Sequence, residues 1–199
     1  MRRLLWLALP LFAAGCALGG DDGASTIDPS ELKNFVLQQK DLPRVFVRFD
    51  DGRQIGADLP SGTRSDPRRF GRVEGWKARY RRAGSPQTKG PLVIESRADL
   101  FKSKGGAEDE LDEARKEYED GEVGWKAVDG APDLGDESFV LTLLQGNPEA
   151  GVRYHLILWR DGSLTASLLT NGFADKLTLE QSVDLARKQA RRISTAAAS

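Results

Sequence analysis

Cysteine is nearly absent from this chain of 199 residues: Cys16 is the only one. Beyond position 16 there can be no disulfide framework, no thiolate zinc site and no thiol nucleophile. His155 is the only histidine, so a histidine-pair metal site is excluded. The sequence contains no G-x-S-x-G, no phosphate-binding P-loop and no G-x-G-x-x-G, the short patterns that would point to acyl transfer, nucleotide hydrolysis or dinucleotide binding. An excess of positive charge is also missing. The 29 basic residues are matched by 30 acidic ones, a balance that argues against a nucleic-acid binder. After Ala14, no apolar run approaches the roughly 20 residues needed to span a bilayer.

What is present is concentrated first at the N-terminus. Met1-Arg2-Arg3 is a short basic head, residues 4–14 (LLWLALPLFAA) are an apolar run, and Ala13-Ala14-Gly15-Cys16 closes it. A positive segment, a short apolar segment and small residues before a cleavage point describe a secretory signal over residues 1–15. An ordinary signal peptidase could also cut after Ala13-x-Gly15, leaving Cys16 as a free thiol in an oxidising compartment. The stretch resembles the signal of bacterial lipoproteins, whose lipobox ends in Gly-Cys or Ala-Cys, with Ala13 standing where that box usually has Leu. The resemblance implies cleavage before Cys16, a diacylglycerol thioether on Cys16, an acylated new N-terminus and a cell-membrane location on the extracytoplasmic side. Cleavage would remove Arg2 and Arg3 and leave 27 basic against 30 acidic residues, a net charge of −3. Residues 17–26 (ALGGDDGAST) are small and polar and cannot bury apolar surface, so residues 16–27 read as a lipidated cysteine and a flexible tether.

Residues 28–194 have the length and apolar content of one domain with its own core. Asp28-Pro29-Ser30-Glu31 is a helix start, followed by Leu32, Phe35 and Val36 at helical spacing; the helix should end near Lys40, ahead of Leu42-Pro43. Residues 45–49 read as a strand ending at an Asp51-Gly52 turn, and residues 57–75 as a long loop. In residues 76–82 (WKARYRR), Trp76, Ala78 and Tyr80 should face the core, with Lys77, Arg79 and Arg81 on a cationic outer face. Residues 91–101 form a further strand. Residues 107–119 should be a helix with Ala107, Leu111, Ala114 and Tyr118 in its stripe and Glu108, Asp109 and Glu110 in its first turn. Short strands are expected at 125–128 and 139–144, and a hairpin over 152–160 and 163–170 turning at Asp161-Gly162. Thr178-Leu179-Glu180-Gln181 is a capping box. It opens a last helix that buries Leu179, Val183, Ala186, Ala190 and Ile193, before a frayed tail at 195–199.

This order of elements predicts a single α+β domain: a mainly antiparallel sheet with helices packed on one face. The pieces Asp41-Leu42-Pro43, Gly135-Asp136-Glu137, Trp159-Arg160-Asp161-Gly162 and Ala186-Arg187-Lys188-Gln189-Ala190 resemble those of extracytoplasmic lipoproteins from actinobacterial-type organisms. That resemblance implies a fold and a location but no activity and no cofactor.

Four features are candidates for function. Arg68, Arg69, Arg72, Lys77, Arg79, Arg81 and Arg82 form a basic region that could meet anionic lipid headgroups, an envelope polymer or an acidic protein; the plainer alternative is internal pairing with the acidic helix that follows. His155 could serve as a general base in a lipid-anchored hydrolase, or be a strand residue with a structural role. Asp129, Asp133, Asp136 and Glu137 offer oxygen ligands, but their spacing departs from an EF-hand, and a turn with Asp136 accepting from backbone amides is the simpler reading. Trp76, Trp125 and Trp159, with Phe46, Tyr80, Phe139 and Tyr154, could line an apolar pocket or simply fill the core. The signal, the tether and the missing catalytic constellation predict a non-enzymatic, membrane-anchored binding, accessory or sensor domain. A hydrolase of envelope material and a structural envelope-adhesion protein are the alternatives.

Overall fold

A computed structural model describes residues 27–54 and 65–197. Cys16, the signal segment and most of the expected tether lie outside the described residues. Seven strands form one antiparallel sheet: β1 (Val47–Gln54), β2 (Arg72–Arg81), β3 (Val93–Phe101), β4 (Lys126–Ala127), β5 (Glu137–Gln145), β6 (Val152–Asp161) and β7 (Leu164–Phe173). Their spatial order is β1-β2-β3-β7-β6-β5-β4. Two meanders, β1 to β3 and β4 to β7, therefore meet along a central β3–β7 seam, where Val93 to Leu100 pair with Asn171 back to Leu164.

The α+β class and the antiparallel sheet are as the sequence predicts. The helices, however, occupy both faces. α1 (Leu32–Phe35) and α3 (Leu179–Ala197) cover one face, where Leu32, Phe35, Tyr80, Ile94, Ile157, Trp159, Leu168 and Ala186 form the main core. α2 (Lys104–Glu119) covers the other, where Leu111 and Ala114 pack on Phe139, Leu141, Leu156 and Leu158. The reason lies in β5 and β6. Val140 and Ile157 belong to the first core while their chain neighbours belong to the second. Because successive strand residues point to opposite faces, an unbroken apolar run means both faces are dry.

Local chemistry explains the remaining differences. Asp28 caps as expected, its carboxylate accepting from Ser30 N–H at 2.8 Å, with Pro29 next. The helix nevertheless stops at Phe35. Val36 and Leu37 are also fully buried, which a helical stripe cannot achieve, so the chain goes extended and drops into the core. There Leu37 N–H donates to Ser96 Oγ (2.9 Å) and Tyr80 OH donates to Leu37 C=O (2.7 Å). Asp51-Gly52 is not a turn. β1 runs through it to Gln54, with an irregularity at Phe49, because Asp51 accepts from Trp76 Nε1 on the next strand. α2 begins at Lys104, three residues early, since Ser103 Oγ accepts from Gly106 N–H. Glu108, Asp109 and Glu110 therefore lie beyond its first turn. The β6–β7 hairpin turns on Gly162 and Ser163, and Gly162 holds φ +60°, the first central position of a type II′ turn. The capping box at Thr178 forms in both directions, and α3 runs to Ala197 rather than fraying at 195.

Candidate functional site

The outer face of β1 to β3 carries the basic region, and strand register decides what surrounds each cation. Lys77 lies opposite Arg97, Arg79 opposite Glu95, and Arg81 opposite Val93 on β3; on the other side Arg79 faces Asp50 and Arg81 faces Val47 on β1. Directly opposed charges on one face of a sheet interact most strongly. Arg79 Nε accordingly sits 3.1 Å from Glu95, while Asp50, opposite Arg79, is also reached diagonally by Lys77 Nζ at 3.0 Å. Arg68 pairs with Asp66, and Arg69 donates to Ser65 Oγ at 2.9 Å. Arg82 turns back to donate to the carbonyls of Pro91 and Lys89, with its guanidinium 5.1 Å from the Phe46 ring. The neutralising acids come from neighbouring strands and from Asp66, not from the acidic helix. On α2, Glu117 accepts from Ser65 N–H and Arg115 pairs with Glu137.

Arg72 does not belong to any surface. It is 7% exposed, its Nε lies 2.6 Å from Asp99 Oδ1, and it donates to Gln54 C=O at 2.7 Å. Arg97 binds the other oxygen of the same carboxylate at 2.6 Å. Burial opposes the charge on Arg97, but Asp99 outweighs it and the guanidinium pKa rises. This triad is the structural heart of the region. Sequence patterning missed it because Arg72 and Asp99 stand on different strands and only the β2–β3 pairing brings them together.

His155 is only 4% exposed and lies beneath α3. Its Nδ1 is 2.9 Å from Ser182 Oγ, which is 2.8 Å from Thr170 Oγ1. Burial, with Arg153 nearby, lowers its pKa to about 4, so the imidazole is neutral at neutral pH. A hydrolase built on His155 needs that ring in an open cleft beside a carboxylate. The structure instead places it under packed side chains with two hydroxyls. Among the acids of the loop, Asp136 accepts from Arg160 (2.7 Å) and from Gly162 N–H (2.9 Å), and Glu137 pairs with Arg115. Among the described residues no group of three or more His, Cys, Asp or Glu could hold a metal. Of the aromatics, Trp159, Tyr80, Phe46 and Phe139 are buried core, and Trp125 packs edge-on to Tyr118 and Tyr154.

An open groove of about 680 Å³ runs between the α1 turn and the C-terminal half of α3. Sequence reading gave no signal for it, because its walls lie some 150 residues apart in the chain. Arg192 fixes one wall, donating to Asn34 C=O (3.0 Å) and lying 3.2 Å from Asp41 Oδ2, while Lys188 donates to Asp41 C=O at 3.2 Å. Lys40, Arg191, Glu31 and Thr195 complete the lining. The lining carries four cations and two carboxylates, and it can bind polar or anionic groups. It contains no nucleophile paired with a base.

The chain is similar to the extracellular domain of PknH from Mycobacterium tuberculosis. The two superpose with a TM-score of 0.58 over 87% of this chain and 100% of that one, at 11% sequence identity. At that identity the likeness shows a shared fold. No protein-family profile and no curated protein sequence matches the chain.

Proposed function

We propose that this chain is a lipid-anchored extracytoplasmic binding or sensor domain without catalytic activity, held at the cell membrane through Cys16. The observation that carries the reading is the lone cysteine directly after Ala13-Ala14-Gly15 at the end of a short apolar run. Two or three acyl chains, at about 0.8 kcal/mol per buried methylene, hold a soluble body at a bilayer almost permanently. The fold shared with an extracellular domain supports the extracytoplasmic side. No helix among the described residues is long and apolar enough to cross a membrane. The groove lined by Lys40, Lys188, Arg191 and Arg192 is where a polar ligand would bind.

The test is made on protein purified from membranes. Intact mass should show cleavage before Cys16 and a diacylglyceryl adduct, and Cys16→Ser should release the chain from membranes without altering its fold. An unmodified chain that is free in the medium would overturn the anchor. Extraction of the purified domain followed by mass spectrometry addresses the ligand: a polar or anionic compound, lost in a Lys40→Glu/Arg191→Glu variant, is the expected result.

A further inference from the structure

Among the described residues Val73 and Val123 stand exposed singly, but the other exposed large hydrophobics form a group. Of the five large hydrophobic residues that stand exposed among the described residues, Val45, Val47 and Phe49 fall within five consecutive positions, at 60%, 62% and 40% exposure. They lie at the end of the sheet where β1 starts and β2 gives way to β3. Register sets Val47, Arg81 and Val93 side by side across the outer face. The Phe49 ring is flanked by the guanidinium carbons of Arg79 at 5.0 Å and Arg81 at 5.3 Å.

The charge at this tip is one-sided. Residues 42–49 and 80–94 contain no Asp or Glu but include Arg44, Arg48, Arg81, Arg82 and Lys89; of these, Arg48 pairs with Asp51 at 2.7 Å. Further along β2 the carboxylates of Asp50 and Glu95 cancel Lys77 and Arg79. Beyond them Arg44 and Arg81 are exposed, and neither has an ion-pair partner among the described residues. Unpaired guanidinium groups interleaved with exposed aliphatic and aromatic side chains match the interface of a bilayer. The apolar groups can enter the headgroup layer while the cations stay with lipid phosphates.

We propose that this tip, residues 44–49 with Arg81, binds the surface of an anionic phospholipid bilayer. The inference deepens the anchor reading, on which one of its arguments rests. With Cys16 acylated, the ten residues 17–26 span at most about 35 Å even when fully extended. A domain of this size has a radius of gyration of about 15 Å, so the tether keeps it within about one diameter of the membrane. At that effective concentration, even weak contacts at the tip fix its orientation. The tip is then a second, reversible contact that turns one chosen side of the domain toward lipid.

The experiment uses the chain from residue 16 onward with Cys16→Ser, so that no acyl chain contributes. It is sedimented with vesicles of phosphatidylcholine alone, or of phosphatidylcholine and phosphatidylglycerol in equal parts. The expected result is binding to the phosphatidylglycerol vesicles alone, weakening as salt is raised. Arg44→Ala and Arg81→Ala should each lower the partition coefficient about fivefold. Val45→Ser/Val47→Ser should lower it at constant charge, and Arg187→Ala on α3 should leave it unchanged. All these side chains are exposed, and unaltered thermal unfolding of each variant establishes that it is folded. Equal binding to both vesicle types, binding to neither, or parental binding by both arginine variants would overturn the proposal. So would retention on polyglutamate without binding to phosphatidylglycerol, which would assign the tip to an acidic protein. Failure here leaves the anchor reading intact, since that is judged separately from the mass of the unsubstituted chain.

Discussion

At the scale of single residues the molecule is decided by a few polar groups in dry places. Gly75 lies opposite Asp99 in the β2–β3 register, and a Cβ there would collide with Asp99 Oδ1 and Arg72 Nη2. Gly75→Ala must therefore break a buried ion pair, and we expect a loss of about 2–4 kcal/mol in urea unfolding. Gly52→Ala, on the adjacent strand with no heavy atom within 4 Å of its added Cβ, should be close to neutral. His155 supplies a pH dependence. Its pKa is lowered to about 4 in the folded state, against about 6.5 unfolded. Between these values the unfolded chain binds a proton that the folded chain refuses, so stability is full above pH ~6.5 and falls as the pH drops toward 4. The loss is at most about 3 kcal/mol. In denaturant titrations at pH 7 and 4.5, His155→Gln should lose distinctly less stability than the parent. An identical loss in both would show that carboxylates alone are responsible. Neither the Arg72–Asp99–Arg97 triad nor the His155–Ser182–Thr170 chain is legible in the sequence, because each joins residues that only tertiary contact brings together.

At the scale of elements, periodicity served where one face is wet and failed where both are dry. The alternation of Trp76, Ala78 and Tyr80 with Lys77, Arg79 and Arg81 located the two faces of β2 correctly, since solvent on one side imposes a period of two. The stripe of Val183, Ala186 and Ile193 did the same for α3. In β5 and β6 the apolar runs carry no such contrast. The placement of α2 on the opposite face from α3 therefore had to come from the structure. Sequence at 28–32 announced a helix start but could not announce its early end, because Val36 and Leu37 are pulled straight by Ser96 and Tyr80 from distant strands. Caps were the most transferable signal. Thr178→Ala removes the hydroxyl that accepts from Gln181 N–H, and should cost about 1 kcal/mol. Hydrogen exchange should show the loss as weaker amide protection across α3, with protection in β1 unaffected.

At the scale of the whole molecule, the basic strand changes meaning once its neighbours are seen. The sequence presented seven cations as one patch. The folded sheet buries Arg72, pairs Arg68, Lys77 and Arg79 with carboxylates, and leaves Arg81 at a tip shared with Arg44, a residue that reading β2 alone could not have joined to it. Internal pairing is the alternative the sequence suggests, but its partners are Asp66, Asp50 and Glu95 and not the acidic helix. The order of strands has a consequence for how the molecule comes into being. β3 gains its second neighbour only from β7, so any process that delivers the chain from N- to C-terminus holds the first three strands with an open hydrogen-bonding rim until residue 173 has emerged. During that interval a second nascent copy presents the same rim. Folding of this chain as it is delivered is thus a race between arrival of its own seventh strand and capture by a neighbour, and slowing release between β6 and β7 should favour aggregates over monomer.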